Sequence, residues 1–327
     1  MTLTEAVREE RERDGRGGGG DGERPDDGDR EDRGPDPSKP VRRALGVVSR
    51  RPVLLAAFAL AALVVALADV ARILDPVGNA VPNAIGSGLS LTVLTYPSGT
   101  RVTMVTPGAL VGLEPWWVLA AVGLGVVGPV AAGAATTWTV ARAAKREVTT
   151  ERVLATTTYV LVVAAAWHAS TWVTAAFPAV VAPLLLVGIW LSARLFPAPA
   201  LAALDRSPFD AASEAYALTR GRTFGCLLSV VGAGTLGAVL ANLPSVAAVS
   251  PSDPAFALGI ALSYAFTGAV GAVAATIYAV EARAQRQRAR DEREQRRDER
   301  RRRERAGEGR EHGDAAARTG GERRNGN

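Results

Sequence analysis

Six apolar runs dominate this chain and limit what it can fold into. They cover about 53–74, 116–140, 155–176, 179–196, 224–243 and 255–280, and they carry few charges. A run of about 20 such residues is long enough to cross a hydrocarbon core of about 30 Å as a helix. The runs are apolar on every face, whereas helices of soluble cores are usually shorter and amphipathic. The pattern predicts an all-α, polytopic transmembrane bundle with six spans.

The basic residues are divided unequally between the two sides of this bundle. One side holds 36 of the 38 Lys and Arg residues: 12 up to Arg51, 4 in 141–152, 4 in 194–222 and 16 after Val280. The other side holds Arg72 and Arg101. Within about 20 residues of the span ends the counts are still 21 and 2. Because cytoplasmic loops carry the basic excess, we expect a multi-pass protein of the cell membrane with both termini cytoplasmic.

Tryptophans support the predicted span ends. Trp116 and Trp117 open the second span and Trp138 closes it, and Trp167 lies toward the outer end of the third. Indole rings prefer the headgroup layer, so these positions agree with the boundaries. Trp190 fits less well, and we interpret it as ordinary packing.

The apolar runs divide the chain into three parts. Residues 1–45 form an acidic, glycine-rich arm that cannot bury enough surface to offset its conformational entropy, so we expect disorder there. Residues 46–281 form the membrane domain. Residues 282–327 form a charged tail with opposite charges four residues apart, such as Glu292 and Arg296. That spacing favours a helix, which we expect to run to about residue 306 before disorder begins.

The Arg-rich tail allows three interpretations. It can be a solvated helix, it can contact anionic lipid headgroups at about 1 kcal/mol per basic residue, or it can touch nucleic acid. The tail has no interleaved aromatic residues, so nucleic-acid binding would be unspecific electrostatics. We therefore expect the lipid bilayer as the partner, with anionic headgroups at the tail, and we do not expect nucleic acid. A membrane protein partner is a further expectation.

The long outer loop, 75–115, contains two segments rich in Val, Thr and Leu. Residues 89–96 and 101–106 flank Pro97-Ser98-Gly99-Thr100, which predicts a small extracytoplasmic β-hairpin. A lone hairpin is marginal in water, so it would have to rest on the helix ends or on the membrane surface. The alternative is an interfacial helix over 82–95.

A short helix is predicted in the cytoplasmic segment between the fourth and fifth spans. Ser207 is suited to cap it, Pro208 to begin it, and Gly221 to end it. Phe209, Ala212 and Tyr216 would share one face, so the helix should lie along the inner membrane surface. Arg220 and Arg222 would then lie at the headgroups.

This segment resembles a group of prokaryotic six-helix membrane proteins. The group includes the glycerophosphoryl diester phosphodiesterase membrane domain family and stand-alone proteins of unknown function. The matching stretch is Ala211 to Gly221, AASEAYALTRG. It departs from the family pattern at Ala215 and Tyr216, where a Ser–Trp or Ser–Tyr pair is typical, and the chain has no phosphodiesterase domain. The resemblance implies six-span architecture more than activity.

The apolar block has few groups for chemistry. It contains no HExxH, no CxxC and no carboxylate pair, so we expect no catalytic residues, no cofactor and no metal site. The candidates that remain are His168 in the third span, Asp69 and Arg72 near the outer end of the first, and Pro183 in the fourth. Ionisable groups inside a bilayer are functional candidates by default, although pairing of Asp69 with Arg72 would serve as an anchor. Pro129 and Pro183 would kink or locally loosen their helices.

Small residues four apart suggest close helix packing, as at Ala233 and Gly237 in the fifth span and Gly268 and Ala272 in the sixth. We expect these two spans to form an antiparallel pair. For function, three classes stay open: a non-enzymatic membrane protein that organises the membrane or assists a partner, a transporter or permease component for a small solute, and a lipid-modifying membrane enzyme. The first is the prediction, and enzymatic activity is not expected.

Overall fold

The structure is a computed structural model that describes residues 39–73, 80–82, 97, 103–105, 110–205, 207–245 and 254–322. The predicted disorder of residues 1–38 and the predicted strand 89–96 lie outside these residues. Nine α-helices and two short strands occur within the described ranges. The helices are α1 (Lys39–Arg50), α2 (Ala56–Ile73), α3 (Pro115–Ala144), α4 (Thr150–Ala176), α5 (Val181–Leu195), α6 (Ala198–Asp205), α7 (Pro208–Leu218), α8 (Thr223–Ser245) and α9 (Pro254–Glu322).

Every predicted apolar run lies in a helix. Among the described residues, five stretches are long and apolar enough to cross a membrane: Pro52–Arg72, Pro115–Ala144, Thr150–Ser170, Val181–Leu204 and Ala261–Glu299. The predicted fifth span lies in α8, whose apolar stretch Thr223–Gly237 is shorter than those five. The protein is therefore helical, and its five long apolar helices indicate that it is embedded in a membrane.

Large apolar side chains cover the outside of the bundle. On α2, for example, Leu60, Leu63 and Leu67 are all more than half exposed, while Phe58 and Val65 are buried. Soluble monomers rarely expose apolar patches of this extent. Lipid chains, which are as apolar as these side chains, fit such a surface.

Helix α9 lies at the centre of the membrane unit. In its most apolar window 72% of the residues are buried, against 28–39% in the other four long apolar stretches. The predicted pairing of the last two spans is confirmed by the contacts of α8 with α9. The Ser263 hydroxyl donates to the carbonyl of Gly237 at 2.8 Å, and a Cβ on Gly237 would lie 2.8 Å from Thr267 Oγ1. The small residue thus permits the close approach.

Helix α1 corrects the predicted extent of the arm. The arm was expected to be disordered to residue 45, whereas Lys39–Arg50 is helical. Ala44 and Val48, four residues apart, are buried, and Arg42 and Arg50 are exposed. This spacing places the apolar residues on one helix face, which gives the segment a surface to bury.

Helix α6 was not foreseen. The fourth apolar run continues past the end of α5 through a turn at Phe196 and Pro197 into an eight-residue helix. All residues from Ala198 to Leu204 are buried, and α6 contacts α3, α4 and α7. A proline cannot donate the hydrogen bond that would continue α5, so the chain breaks and turns into the bundle.

The outer loop enters the bundle at Pro97. Strand β1 (Ala80–Pro82) pairs antiparallel with β2 (Thr103–Val105). Strand β2 falls within the predicted second hairpin strand, and its partner is β1. Pro97, which lies between them in sequence, is buried, and a Cβ on Gly271 would lie 3.7 Å from its Cβ.

This contact is deep in the bundle. Gly271 lies about 25 Å along the axis of α9 from its first residue. One turn earlier Gly268 packs against the ring of Phe58, which is close to the start of α2. Helix α2 ends at the far side of the bundle, yet Pro97, which follows it in sequence, lies at the level where α2 begins. The expectation that this loop rests on helix ends or on the membrane surface is wrong at Pro97.

Residues 280–327 form a second compact unit. Within it, helix continues to Glu322, beyond the predicted end near residue 306. Gly307, Gly309 and Gly313 lie in this stretch. A helical glycine costs about 1 kcal/mol relative to alanine, which weakens a helix but does not forbid it.

Candidate functional site

Three side chains, Trp190 and Arg194 near the end of α5 and Tyr216 on α7, contact one another, and we call them the elbow cluster. The guanidinium carbon of Arg194 lies 5.4 Å from the centre of the Trp190 ring and 4.8 Å from that of Tyr216. The two rings meet edge to face, with centroids 5.9 Å apart. A guanidinium within about 6 Å of a ring centroid is attracted to the ring face.

Local sequence explains how α7 is placed. The Ser207 side chain accepts a hydrogen bond from the Asp210 backbone N–H at 3.3 Å, and Pro208 occupies the first turn, as predicted. The helix ends at Leu218, and Gly221 has the left-handed φ of 82° that closes the turn before α8. These capping features fix both ends of the helix.

The burial of α7 agrees with the predicted face. Ala211, Ala215 and Leu218 are buried, whereas Phe209 is 78% exposed and Tyr216 44% exposed. The exposed aromatic residues are seven positions apart, so they lie on one side of the helix. This is the face predicted to lie along the membrane surface.

Backbone carbonyls connect α7 to the end of α5. The Thr219 hydroxyl donates to the carbonyls of Arg194 at 3.1 Å and Ala215 at 3.0 Å. Arg194 Nη1 donates to the carbonyl of Tyr216 at 3.5 Å. On the neighbouring segment, Arg146 Nη1 donates to the carbonyl of Leu204 at 3.4 Å, near the end of α6. Arginines at helix C-termini satisfy carbonyls that have no partner within the helix.

The elbow cluster was only partly visible in the sequence. Trp190 was interpreted as ordinary packing, whereas it is 44% exposed and lies beneath the Arg194 guanidinium. A spacing of four residues on one helix could have indicated the Trp190–Arg194 contact. The contact of Tyr216 with Arg194 could not be predicted from sequence spacing, because it depends on how α7 folds back toward α5.

The pairing of Asp69 with Arg72 is confirmed. Arg72 Nη1 lies 3.9 Å from Asp69 Oδ1, and the two side chains are 6% and 4% exposed. Arg72 Nη2 also donates to the carbonyl of Ala121 on α3 at 3.4 Å. The pair therefore joins the end of α2 to α3 through a buried charge.

The other two candidate residues lie on different helices from this pair. His168 is exposed on α4. Pro183 is exposed in the first turn of α5, directly after a 3₁₀ turn at Pro178–Val180. Backbone N–H groups in the first turn have no partner within the helix, so Pro183 removes no hydrogen bond. The prediction that it kinks the fourth span is wrong, whereas Pro129 does lie inside α3.

Buried hydroxyls are distributed along the helices rather than gathered. Most donate to a backbone carbonyl, either one turn earlier in the same helix or across to a neighbour. The pairs are Thr137 to Gly133, Thr156 to Arg152, Ser192 to Gly188, Ser229 to Gly225, Thr276 to Ala272, Tyr264 to Gly128 and Thr139 to Leu54. Within the described ranges, no group of three or more His, Cys, Asp or Glu side chains could hold a metal ion.

These features together define a helical membrane protein with an aromatic-flanked arginine at one end of its bundle. No family model matches the sequence, and no curated protein or solved structure matches it either. The resemblance to the glycerophosphoryl diester phosphodiesterase membrane domain therefore stays a prediction.

Proposed function

We propose that this chain is a six-span protein of the cell membrane with both termini cytoplasmic, and that its role is to organise the membrane or to assist a partner protein without catalysing a reaction. The orientation is supported by the 36 basic residues on one side of the predicted spans. The sixth span is supported by α8, which at 23 residues is long enough to cross a bilayer.

The hydrogen bonds of the buried hydroxyl groups are the main support for a non-enzymatic role. A catalytic site gathers titratable or nucleophilic groups around one reacting atom. Most of the buried Ser and Thr side chains in the described ranges instead bond to helix carbonyls, as Ser263 does across to Gly237. Such bonds join helices and satisfy backbone groups. This arrangement supports the proposed scaffold role.

The topology is tested by fusing reporters to the full chain. A fluorescent protein after Asn327 should be bright, because it folds in the cytoplasm, and alkaline phosphatase at the same position should be inactive. The same fusions in the loop near Gly112 should give the opposite result. An active phosphatase after Asn327 would overturn the orientation.

The role is tested by isolating the protein with its neighbours. A tag on the arm should recover a membrane protein partner from mild detergent, and the same tag on an unrelated six-span protein is the control. Recovery of lipid alone would contradict a role as an accessory to a partner protein.

The second candidate is a transporter component, and the buried Asp69–Arg72 pair favours it. An ionisable pair inside a span often marks a solute or ion pathway. If so, vesicles containing the protein should take up a small solute, and Asp69→Asn should abolish that uptake. Uptake by the parent protein that is lost in this variant would replace the scaffold role with transport.

A further inference from the structure

Arg194 in the elbow cluster has few strong hydrogen-bond acceptors among the described residues. Its guanidinium carbon lies over the Trp190 and Tyr216 rings, and a ring face is not a strong hydrogen-bond acceptor. The bond from Nη1 to the Tyr216 carbonyl, at 3.5 Å, is at the outer limit for a hydrogen bond. Nε is buried and has no acceptor among the described residues. A strong acceptor for the hydrogen-bonding edge of this guanidinium is missing from the part of the chain that the structure describes.

No carboxylate supplies that acceptor within the described ranges, since Arg194 forms no ion pair there. A second arginine lies close by, because Thr219, whose hydroxyl donates to the Arg194 carbonyl at 3.1 Å, accepts at its own carbonyl from the Arg222 backbone N–H at 3.0 Å. Two cations near one point favour an anion at that point. Planar guanidinium groups bind phosphate through two parallel hydrogen bonds.

The surroundings of Arg194 suit a lipid better than a soluble anion. Trp190 and Tyr216 are each 44% exposed, and Phe209 is 78% exposed on the Tyr216 side of α7. Amphipathic rings of Trp and Tyr settle at the headgroup level, where one part meets hydrocarbon and the other water. A phosphate bound to Arg194 would thus have apolar neighbours for the glycerol and acyl chains attached to it.

We propose that the elbow cluster binds the phosphate of an anionic phospholipid of the cytoplasmic leaflet. The Arg194 edge holds the phosphate, Arg222 adds positive charge, and the exposed rings of Trp190, Tyr216 and Phe209 contact the lipid body. This rests on the proposed topology, which places the end of α5 at the cytoplasmic leaflet.

The test uses the full chain in nanodiscs of phosphatidylglycerol and phosphatidylcholine in equal amounts. The protein is released into mild detergent, and native mass spectrometry measures how much phosphatidylglycerol stays bound. Arg194→Gln should weaken retention about tenfold, the effect of losing a hydrogen bond to a charged group. Arg194→Lys should not restore it, because an ammonium can neither stack in the same way nor bond through two parallel donors. Arg220→Gln, which removes an exposed arginine from the same segment, is the matched control and should retain the lipid.

Several results would overturn the proposal. Equal losses in the Arg194 and Arg220 variants would mean unspecific electrostatics, and displacement by millimolar inorganic phosphate would mean a site for the free ion. If Arg194→Gln does not fold, Trp190→Leu and Tyr216→Leu are measured instead, and unchanged retention in both would exclude the cluster. Reporter fusions on the parent chain decide the topology separately, so the failure of one proposal is distinguishable from the failure of the other.

Discussion

Gly133 shows how a single hydrogen atom in place of a side chain sets the distance between α3 and α4. A Cβ there would lie 2.7 Å from the Cα of Thr157, which is backbone and cannot move without shifting the helix. Gly133→Ala should therefore lower stability by about 1–3 kcal/mol, the usual cost of overpacking. This is measured as the melting temperature in detergent, taken as the temperature at which monodisperse protein is lost.

Gly123 provides the matched control in the same helix, because a Cβ there would have nothing within 4 Å. Gly123→Ala should leave the melting temperature unchanged or raise it, since alanine favours helix by about 1 kcal/mol. Equal effects of the two substitutions would mean that α3 and α4 are not in close contact at Gly133.

The buried Asp69–Arg72 pair predicts a pattern of non-additive effects. Arg72→Gln leaves the Asp69 carboxylate without its cation at a position only 3% exposed, and breaking a buried pair in this way typically costs about 3–5 kcal/mol. The double variant, with Asp69→Asn added, should recover much of that loss because no charge remains buried. Melting temperatures of the three variants test this, and strictly additive losses would show that the two side chains act independently.

At the scale of elements, the contact between Pro97 and Gly271 predicts a cross-link. A Cβ added to Gly271 would lie 3.7 Å from the Cβ of Pro97, which is within the range of about 3.5–4.5 Å that disulfides require. In a background of Cys226→Ser, which removes the single native cysteine, the pair Pro97→Cys and Gly271→Cys should oxidise readily. A shift in mobility on a gel without reductant, reversed by reductant, reports the bond.

Gly123 again supplies the comparison. Pro97→Cys combined with Gly123→Cys places the second thiol at a position with no neighbour within 4 Å, so it should stay reduced under the same conditions. Cross-linking of both pairs, or of neither, would contradict the position of Pro97 against α9.

The elements divide into those that sequence could predict and those that it could not. The apolar runs and the caps of α7 are local features, so their helices could be predicted from Ser207, Pro208 and the hydropathy pattern. Helix α6 could not, because its sequence, APALAALD, reads equally well as the end of a span or as a linker. Only its contacts with α3, α4 and α7 show that it is an interior helix. One of the three residues of the elbow cluster was likewise not predictable, since Tyr216 meets Arg194 through tertiary folding.

At the scale of the whole molecule, residues 1–279 and 280–327 form separate compact units. Ending the chain after Arg290 should therefore shift the melting temperature of the membrane unit by less than about 3 °C, which corresponds to about 1 kcal/mol in a domain of this size. The measurement is the same detergent melt used for the glycine variants. A large drop would mean that the tail stabilises the membrane unit, which would contradict the division of the chain into two separate units.

The loop seated at Pro97 also has a consequence for biogenesis. Pro97 contacts Gly271 of α9, which follows it in sequence by more than half the chain length. Chains are synthesised from the amino terminus, so Pro97 is made well before its contact. While the earlier spans enter the membrane, this proline has nowhere to dock. Pro97 can thus reach its contact only after α9 has been made, so a chain that ends before α9 lacks the surface on which this proline packs.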